Sequence, residues 1–366
     1  MDRRKFLRSG AIAATGATLA APAIAQASPS VTWRLASSYP KSLDTLFASS
    51  EEMAKAVYEL TDGQFEIQVF AGGELVPPLG IADSVGDGTV EMGHTGSYFY
   101  MGKDPAFAFG TAMPWSGNAR QYQAWMHEGG GNDLINEVLT NFNLINMPAG
   151  NTGTQMAGWY RKEINSLEDL KGLKMRIGGL GGTVMSRMGV IPQQIAGADM
   201  YPALERGVLD AIEFVGPADD EKLGFYKVAK FYYAPAFWEP SGELSYFINA
   251  DAHAALPKHF QAALKHASRS SGAQLLHRYD TRNAAALQRL LAEGVQVRTM
   301  PEEILRESYR QTHMLYAEMS DQSASFKKIH DHMFDFMDKA RTFTNISDFA
   351  FDYVGYQAQQ GNWPKS

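Results

Sequence analysis

The sequence predicts an α/β protein of two lobes joined by a hinge and followed by long C-terminal helices. Three observations support this fold class: the length of 366 residues, the alternation of strand and helix patterns, and a weak internal repeat. At roughly 100–200 residues per domain, the length favours two domains. The chain is 45% hydrophobic and 20% charged, which supplies apolar residues for two cores and argues against disorder.

The first 27 residues have the composition of an export signal and are set apart from the fold. Arg3 and Arg4 precede an uncharged run at residues 9–25, and residues 25–27 (AQA) form an A-x-A cleavage pattern. The paired arginines favour export by the twin-arginine route. The run is too weakly apolar and too short for the ~20 residues that a membrane span needs. We therefore expect a soluble mature protein in the periplasm.

The composition excludes several kinds of function. The sequence contains no cysteine, which excludes disulfides, thiolate nucleophiles and cysteine-ligated metals. Residues 1–27 carry a net charge of +3, so their removal takes the formal net charge from −7 to −10. Such a chain lacks the basic surface of a nucleic-acid binder and does not suit anionic membranes. A small anion would need a locally placed cation in a cleft.

The elements of the first lobe follow in order from hydrophobic periodicity. Strands are predicted at 31–35, 65–70 and 90–93, and helices at 43–60 and 79–87. Glycine or a turn sequence follows each helix. This alternation predicts a sheet that is covered by helices on both faces.

The second lobe begins after a stretch rich in Gly, Asn and Thr at 148–159, which is the predicted crossing. Strands are predicted at 174–177 and 192–195, a helix at 183–188, and a return of the chain near 214–217. Long helices follow at 254–293 and 302–340. The predicted boundaries are 28–150 and about 214–240 for lobe one, 151–213 and about 241–300 for lobe two, and 301–366 for a helical tail.

A weak repeat relates the two lobes. Residues 71–79 (AGGELVPPL) align with 196–204 (AGADMYPAL), and 88–92 (GTVEM) align with 207–211 (GVLDA). Each copy predicts a small-residue turn, a helix that glycine ends, and a short strand, with a helix six residues longer in the first copy. The alternative is that any two strand–helix–strand units share such a pattern.

Arg176 is the sharpest candidate for binding an anion. It ends an apolar strand, two residues before a glycine-rich turn at 178–182 (GGLGG). A guanidinium in that position offers a planar fork for a carboxylate, and the alternative is an ion pair between strands. The glycine run lacks the Lys-Ser/Thr pair of a nucleotide loop.

Oxygen-bearing side chains follow other predicted strands and crossings. Gln155 lies in the crossing, Glu213 follows a predicted strand, and Glu239 follows an aromatic run. Amide and carboxylate oxygens suit a hard cation such as Na⁺ or Ca²⁺. The alternative is that each residue only ends a strand or caps a helix. No catalytic motif is present in the sequence, which argues against an enzyme.

Three segments carry a resemblance to a known family: 150–164 (GNTGTQMAGWYRKEI), 170–179 (LKGLKMRIGG) and 210–217 (DAIEFVGP). They resemble the solute-binding proteins of TRAP (tripartite ATP-independent periplasmic) transporters. Residues 191–197 (IPQQIAG) and 220–225 (DEKLGF) resemble the branch that binds 2-oxo acids. The resemblance runs from about residue 31 to the C-terminus. It implies a two-lobed periplasmic binding protein fold, and membrane subunits as partners.

The resemblance also implies roles for particular residues. Arg176 stands where the family pairs the ligand carboxylate, and Tyr98 lines the pocket from lobe one. In this branch a cation, Na⁺ or Ca²⁺, bridges ligand and protein, and the implied cation ligands are Gln155, Glu213, the Phe214 carbonyl and Glu239. The branch usually has Trp at the position of Phe214, and glycines where this chain has Pro240 and Ser241.

The expected ligand is pyruvate or another short 2-oxo monocarboxylate. The alternatives are a 2-hydroxy acid such as lactate with calcium, an amino acid bound without a cation, and an enzyme that acts on 2-oxo acids. The aromatic-rich tail at 302–363 needs burial, either on its own lobes or against a second copy. In the resembling branch such a tail supports a homodimer.

Overall fold

The computed structural model describes residues 30–363. The predicted signal at residues 1–27 lies outside the described residues. The strands of the described chain, in order, are β1 (Val31–Ser37), β2 (Phe65–Phe70), β3 (Met92–Thr95), β4 (Leu144–Asn151), β5 (Gly158–Tyr160), β6 (Lys174–Arg176), β7 (Ile191–Gln193), β8 (Ala211–Ile212), β9 (Phe231–Ala234), β10 (Glu243–Asn249) and β11 (Gln296–Thr299).

The helices cover both sheets and form the C-terminal tail. They are α1 (Leu46–Leu60), α2 (Ile81–Gly86), α3 (Ala119–His127), α4 (Gly131–Leu139), α5 (Gly179–Arg187), α6 (Gly197–Glu205), α7 (Pro217–Leu223), α8 (Ala250–Ala255), α9 (Lys258–Ala292), α10 (Glu302–Gln322), α11 (Ala324–Thr344) and α12 (Asp348–Gln359). Short 3₁₀ helices lie at Ser97–Tyr100, Pro105–Gly110, Thr140–Phe142, Glu168–Leu170 and Phe225–Lys227. None of the helices within residues 30–363 combines the length and apolar character that a membrane crossing needs.

Two mixed sheets define the two lobes. Lobe one has the strand order β2-β1-β3-β10-β4, and lobe two has the order β11-β9-β5-β8-β6-β7. In lobe one β10 runs antiparallel to both of its neighbours, while in lobe two β5 runs antiparallel to β8 and β9. The two-lobed α/β prediction with long C-terminal helices is confirmed.

The strands differ from the predicted lobe boundaries at two places. Residues 231–234, predicted in lobe one, form β9 of lobe two, and residues 243–249, predicted in lobe two, form β10 of lobe one. The chain therefore does not return to lobe one near 214–217, where α7 begins in lobe two, but along 235–242. The reason is long-range pairing: β9 pairs with β5 and β11, and β10 lies between β3 and β4.

The repeat is present with different proportions from those predicted. Gly88 and Gly207 follow α2 and α6 with φ of 80° and 72°, the left-handed conformation that ends a helix. However, α2 has six residues and α6 has nine, so the longer helix lies in the second copy. In the first copy residues 78 and 79 form a turn and the helix begins only at Ile81, whereas Pro202, the counterpart of Pro77, lies inside α6.

The long helix α9 connects the lobes from behind. It packs on α1 and β4 of lobe one and on α7 of lobe two. At its centre the chain is very close to β4, because Gly272 lies against Gly150, where a Cβ atom on Gly150 would lie 2.7 Å from the Gly272 Cα. A short separation of this kind requires glycine at both positions.

Two adjacent carboxyl groups on α7 are buried beside this connection. Asp220 accepts hydrogen bonds from the Trp159 indole (2.9 Å) and the Tyr232 hydroxyl (2.7 Å), and Asp219 accepts one from the Tyr279 hydroxyl (2.6 Å). Burial raises the pKa of Asp219 to about 6 and that of Asp220 to about 7, from the usual 3.8. Between pH 3.8 and these raised pKa values, the folded state holds protons that the unfolded chain has released.

This pair is expected to make the protein less stable as the pH rises. Because the folded pKa of Asp220 is raised, its contribution to the free energy of unfolding falls between pH 3.8 and about 7 and is constant above. Asp220→Asn keeps an oxygen that accepts both hydrogen bonds but does not titrate. Thermal unfolding at several pH values should show a shallower decline for the variant than for the wild type, and an equal decline would contradict the assignment.

Candidate functional site

The predicted site residues meet between the two sheets. Arg176 ends β6 and Glu213 directly follows β8, which pairs with β6 in parallel. Gln155 lies in the crossing between β4 and β5, and Glu239 lies in the return between β9 and β10. Arg176, Glu213, Gln155, Phe214 and Glu239 are all buried, with side chains no more than 8% exposed.

Arg176 and Glu213 form a buried ion pair between neighbouring strands. The Arg176 Nη1 donates to Glu213 Oε1 (2.5 Å) and to the Glu213 backbone carbonyl (2.8 Å). Glu213 Oε1 also accepts the Gly178 N–H (3.3 Å). The alternative considered for Arg176, an ion pair between strands, is therefore present.

One side of the guanidinium nevertheless stays available. The Arg176 Nε is buried and has no hydrogen-bond partner among the described residues, and the same holds for Glu213 Oε2. The Phe214 ring lies against the guanidinium, with 5.6 Å between Cζ and the ring centroid. Arg176 is thus held by Glu213 and Phe214 while a polar edge remains for a further acceptor.

Gln155 is fixed by backbone contacts and presents a free oxygen. Its N–H donates to the Glu239 carbonyl (3.1 Å), and its Nε2 donates to the Thr152 hydroxyl (3.1 Å). Its Oε1 is buried without a partner in the described part of the chain. Gly242 allows this arrangement, since a Cβ atom there would lie 2.6 Å from the Gln155 Nε2.

The site contains more buried acid than base. Glu213 and Glu239 face the single charge of Arg176, and the described residues near them supply no second cation. Burial, followed by the charge of Glu213, raises the pKa of Glu239 well above its usual value, although Arg176 and the Tyr98 hydroxyl lower it. Burial also raises the pKa of Glu213 despite Arg176. A bound cation would remove this excess of negative charge.

The donor set fits a hard cation. Within residues 30–363 no group of three or more His, Cys, Asp or Glu side chains is placed to hold a metal ion. The predicted set differs from such groups, because only Glu213 and Glu239 are carboxylates and the other oxygens come from the Gln155 amide and the Phe214 backbone. The unpartnered Gln155 Oε1 and Glu213 Oε2 are the oxygen ligands that Na⁺ or Ca²⁺ prefers.

Tyr98 reaches the site from lobe one and contacts lobe two. It lies in the 3₁₀ helix after β3, and its ring covers the glycines that begin α5. A Cβ atom on Gly178 would lie 2.4 Å from Tyr98 Cε2, and one on Gly179 would lie 2.8 Å from Cδ2. The glycine-rich turn thus provides a flat surface on which the opposite lobe closes.

A small cavity of about 30 Å³ remains between the closed lobes. Four of its lining residues are among the predicted site residues: Tyr98, Gln155, Arg176 and Phe214. The other eight were not predicted; they are Tyr39, Leu46, Phe99, Thr111, Thr152, Val215, Gly242 and Leu244. Tyr39 could have been found, because it follows β1 and the carboxyl ends of parallel strands face the crevice. Leu244 could not have been found, because residues 241–300 are predicted in lobe two, whereas β10 belongs to the sheet of lobe one.

The chain is similar to known proteins over most of its length. The family model described as bacterial extracellular solute-binding protein, family 7, matches residues 36–323. The chain is 46% identical over 337 residues to a monocarboxylate 2-oxoacid-binding periplasmic protein of Nostoc sp., covering 90% of this chain and 92% of that protein.

Two solved structures are similar over most of the chain. A TRAP transporter solute-binding protein from Bordetella bronchiseptica, a dimer with copurified calcium and picolinate, is 44% identical with a TM-score of 0.90, covering 92% of this chain and 100% of that chain. A TRAP periplasmic solute-binding protein from Pseudoalteromonas atlantica, with bound sodium and pyruvate, is 35% identical with a TM-score of 0.85, covering 88% and 98%.

Proposed function

Because the chain belongs to family 7 of the bacterial extracellular solute-binding proteins, the TRAP solute-binding proteins, we propose that it binds a small 2-oxo monocarboxylate such as pyruvate together with Na⁺ or Ca²⁺. It delivers this ligand to the small and large membrane subunits of a TRAP transporter and does not convert it. The observation that carries the proposal is Arg176, with a free Nε beside the unpartnered oxygens of Glu213 and Gln155.

The chemistry of a 2-oxo acid matches these groups. Its carboxylate accepts hydrogen bonds from the free side of Arg176. Its carboxylate and 2-oxo oxygens together form a five-membered chelate for a hard cation. Gln155, Glu213, the Phe214 carbonyl and Glu239 hold that cation, whose charge allows an anionic ligand beside two carboxylates. Tyr98 closes the site from lobe one.

Calorimetry on ligand-stripped protein tests this function. The titrants are pyruvate, lactate and alanine, which share a three-carbon acid and differ at carbon 2, each with Na⁺, with Ca²⁺ and after chelation in sodium-free buffer. Pyruvate should bind most tightly, and removing the cation should weaken it at least tenfold. Tighter binding of alanine, or pyruvate binding that does not depend on the cation, would contradict the proposal. Turnover of pyruvate on incubation would favour an enzyme.

A matched pair of variants distinguishes a change at the proposed cation site from a change of any buried glutamate. Glu239→Gln removes the negative charge of a proposed cation ligand but keeps an oxygen, and Glu243→Gln changes a buried glutamate that is already bonded to the Asn151 amide (2.9 Å). Adding the cation should raise the affinity for pyruvate less in Glu239→Gln than in the wild type. In Glu243→Gln the effect of the cation should be unchanged.

The periplasmic location follows the family, and we propose export of the chain by the twin-arginine route through residues 1–27. Replacing Arg3 and Arg4 by lysine should leave the precursor in the cytoplasm. Fractionation of cells that express the full chain measures this.

The last helix of the tail gives the clearest support for a homodimer. Helices α10 and α11 pack on their own chain, with Ile304, Phe326, Ile329 and Met333 buried. In contrast, α12 has no buried residue, and Phe349, Phe351 and Tyr353 are more than half exposed. We propose that α12 packs against a second copy, as such an apolar surface requires cover.

Analytical ultracentrifugation tests the dimer. The full mature chain should sediment as a dimer at micromolar concentration, and a chain that ends at Ser347 should be a monomer with an unchanged pyruvate affinity. The truncation leaves α10 and α11 in place, so it does not open the core. A full-length monomer would contradict the dimer.

A further inference from the structure

The cavity has a polar side and an apolar side. Arg176 and Gln155 provide polar groups from lobe two and the crossing. On the lobe-one side, Leu46, the first residue of α1, and Leu244 of β10 are the aliphatic residues, 1% and 5% exposed. The same side also carries Tyr39, Tyr98, Phe99 and Thr111.

This division orients a 2-oxo acid. If Arg176 and the cation ligands hold the carboxylate and the 2-oxo oxygen, then both oxygen-bearing carbons lie on the polar side. Carbon 3 and anything attached to it must extend toward the apolar side, where leucine side chains replace water at a hydrocarbon surface. The two leucines therefore face the part of the molecule in which one 2-oxo acid differs from another.

The Leu46 and Leu244 side chains cannot easily move away from the cavity. Leu244 is paired with Gly150 in the sheet, at an irregularity between Leu244 and Ser245. Gly150 is itself in contact with Gly272 of α9, so the strand behind Leu244 has no space to shift. Leu46 belongs to a helix that packs on β2 and α9. The cavity has a volume of about 30 Å³, room for about two or three water molecules, so every additional carbon of a ligand must displace the side chains that line it.

We propose that Leu46 and Leu244 determine ligand size, admitting three- and four-carbon unbranched 2-oxo acids and rejecting branched ones. This inference rests on the proposed function, because it assigns a direction to the ligand within that same site. A buried leucine side chain that must move to admit extra methyl groups imposes a steric cost, and discrimination of 10- to 200-fold per methylene is typical of such pockets.

Calorimetry with pyruvate, 2-oxobutanoate and 3-methyl-2-oxobutanoate, in the presence of the cation, tests this role. The wild type should bind the branched acid at least tenfold more weakly than pyruvate. Leu244→Ala should narrow that ratio by about tenfold, and Leu46→Ala should narrow it as well. Leu244→Val, which removes one methylene group and preserves the fold, should shift the ratio in the same direction by less.

Leu144→Ala is the matched control, since Leu144 is equally buried in β4 but does not line the cavity. It should lower thermal stability without changing the ratio of affinities. Unchanged ratios in Leu46→Ala, Leu244→Ala and Leu244→Val would overturn the role of these residues while leaving the proposed function intact. Equal wild-type affinity for pyruvate and the branched acid, or for pyruvate and picolinate, would also overturn it. If the wild type binds no 2-oxo acid, the proposed function itself fails.

Discussion

Arg176→Lys is expected to lose most ligand binding while the protein still folds. Lysine keeps a positive charge for Glu213, but a single ammonium group cannot bond both Glu213 and the ligand carboxylate in a planar fork. Losing a hydrogen bond to a charged group costs about 1.5–3 kcal/mol, which corresponds to roughly a 10- to 150-fold loss of affinity. Isothermal titration with pyruvate and the cation measures this loss.

Arg176→Ala should differ from the lysine variant in stability as well as in binding. The ion pair with Glu213 is buried on both sides, with side chains 2% and 1% exposed. Removing the arginine leaves Glu213 without a counter-ion, and breaking a buried pair in this way costs about 3–5 kcal/mol. Thermal denaturation should therefore show a lower Tm for the alanine variant than for the lysine variant at neutral pH.

Arg187→Lys is the matched control for both measurements. Arg187 lies on α5 close to the site in sequence, but it pairs with Glu318 near the surface through two hydrogen bonds (3.0 and 2.5 Å). The control should bind pyruvate like the wild type. If Arg176→Lys also binds like the wild type, the fork has no role in recognition.

Local patterns predicted some of the strands and helices but not the partners of the strands. Residues 65–70 alternate in polarity, and β2 has these bounds. Segment 231–234 (FYYA) is aromatic and segment 243–249 (ELSYFIN) is of mixed polarity, and neither composition shows in which sheet the strand lies. Their assignment depends on pairing with strands tens of residues away, and no local pattern encodes that pairing.

The site shows the same division between local and long-range information. The position of Arg176, at the end of a strand before glycines, marked it as a candidate. Its contact with Glu213 could not be predicted from spacing, because 37 residues separate the two and β6 and β8 bring them together. The role of Gly242 beside Gln155 was equally hidden, since only the folded crossing places them in contact.

Gly178→Ala is expected to prevent full closure of the lobes. Gly178 has φ of −100° and ψ of 176°, which alanine adopts without strain, so lobe two should fold normally. The new Cβ atom would nevertheless lie 2.4 Å from Tyr98 Cε2 of the opposite lobe. Tyr98 has little freedom to move away, because its ring packs on Phe99 with centroids 4.6 Å apart.

The clash exists only in the closed state, so the substitution should affect ligand binding and not the stability of the ligand-free protein. Overpacking costs about 1–3 kcal/mol, which would reduce pyruvate affinity by roughly 5- to 150-fold while leaving the Tm of the ligand-free protein unchanged. Small-angle scattering should show that pyruvate and the cation compact the wild type but not the variant. Gly197→Ala is the control, because its Cβ atom would meet Leu43 of lobe one at 3.8 Å, an ordinary contact. If Gly178→Ala closes and binds as Gly197→Ala does, then Tyr98 does not need the flat glycine surface, and closure depends on other contacts between the lobes.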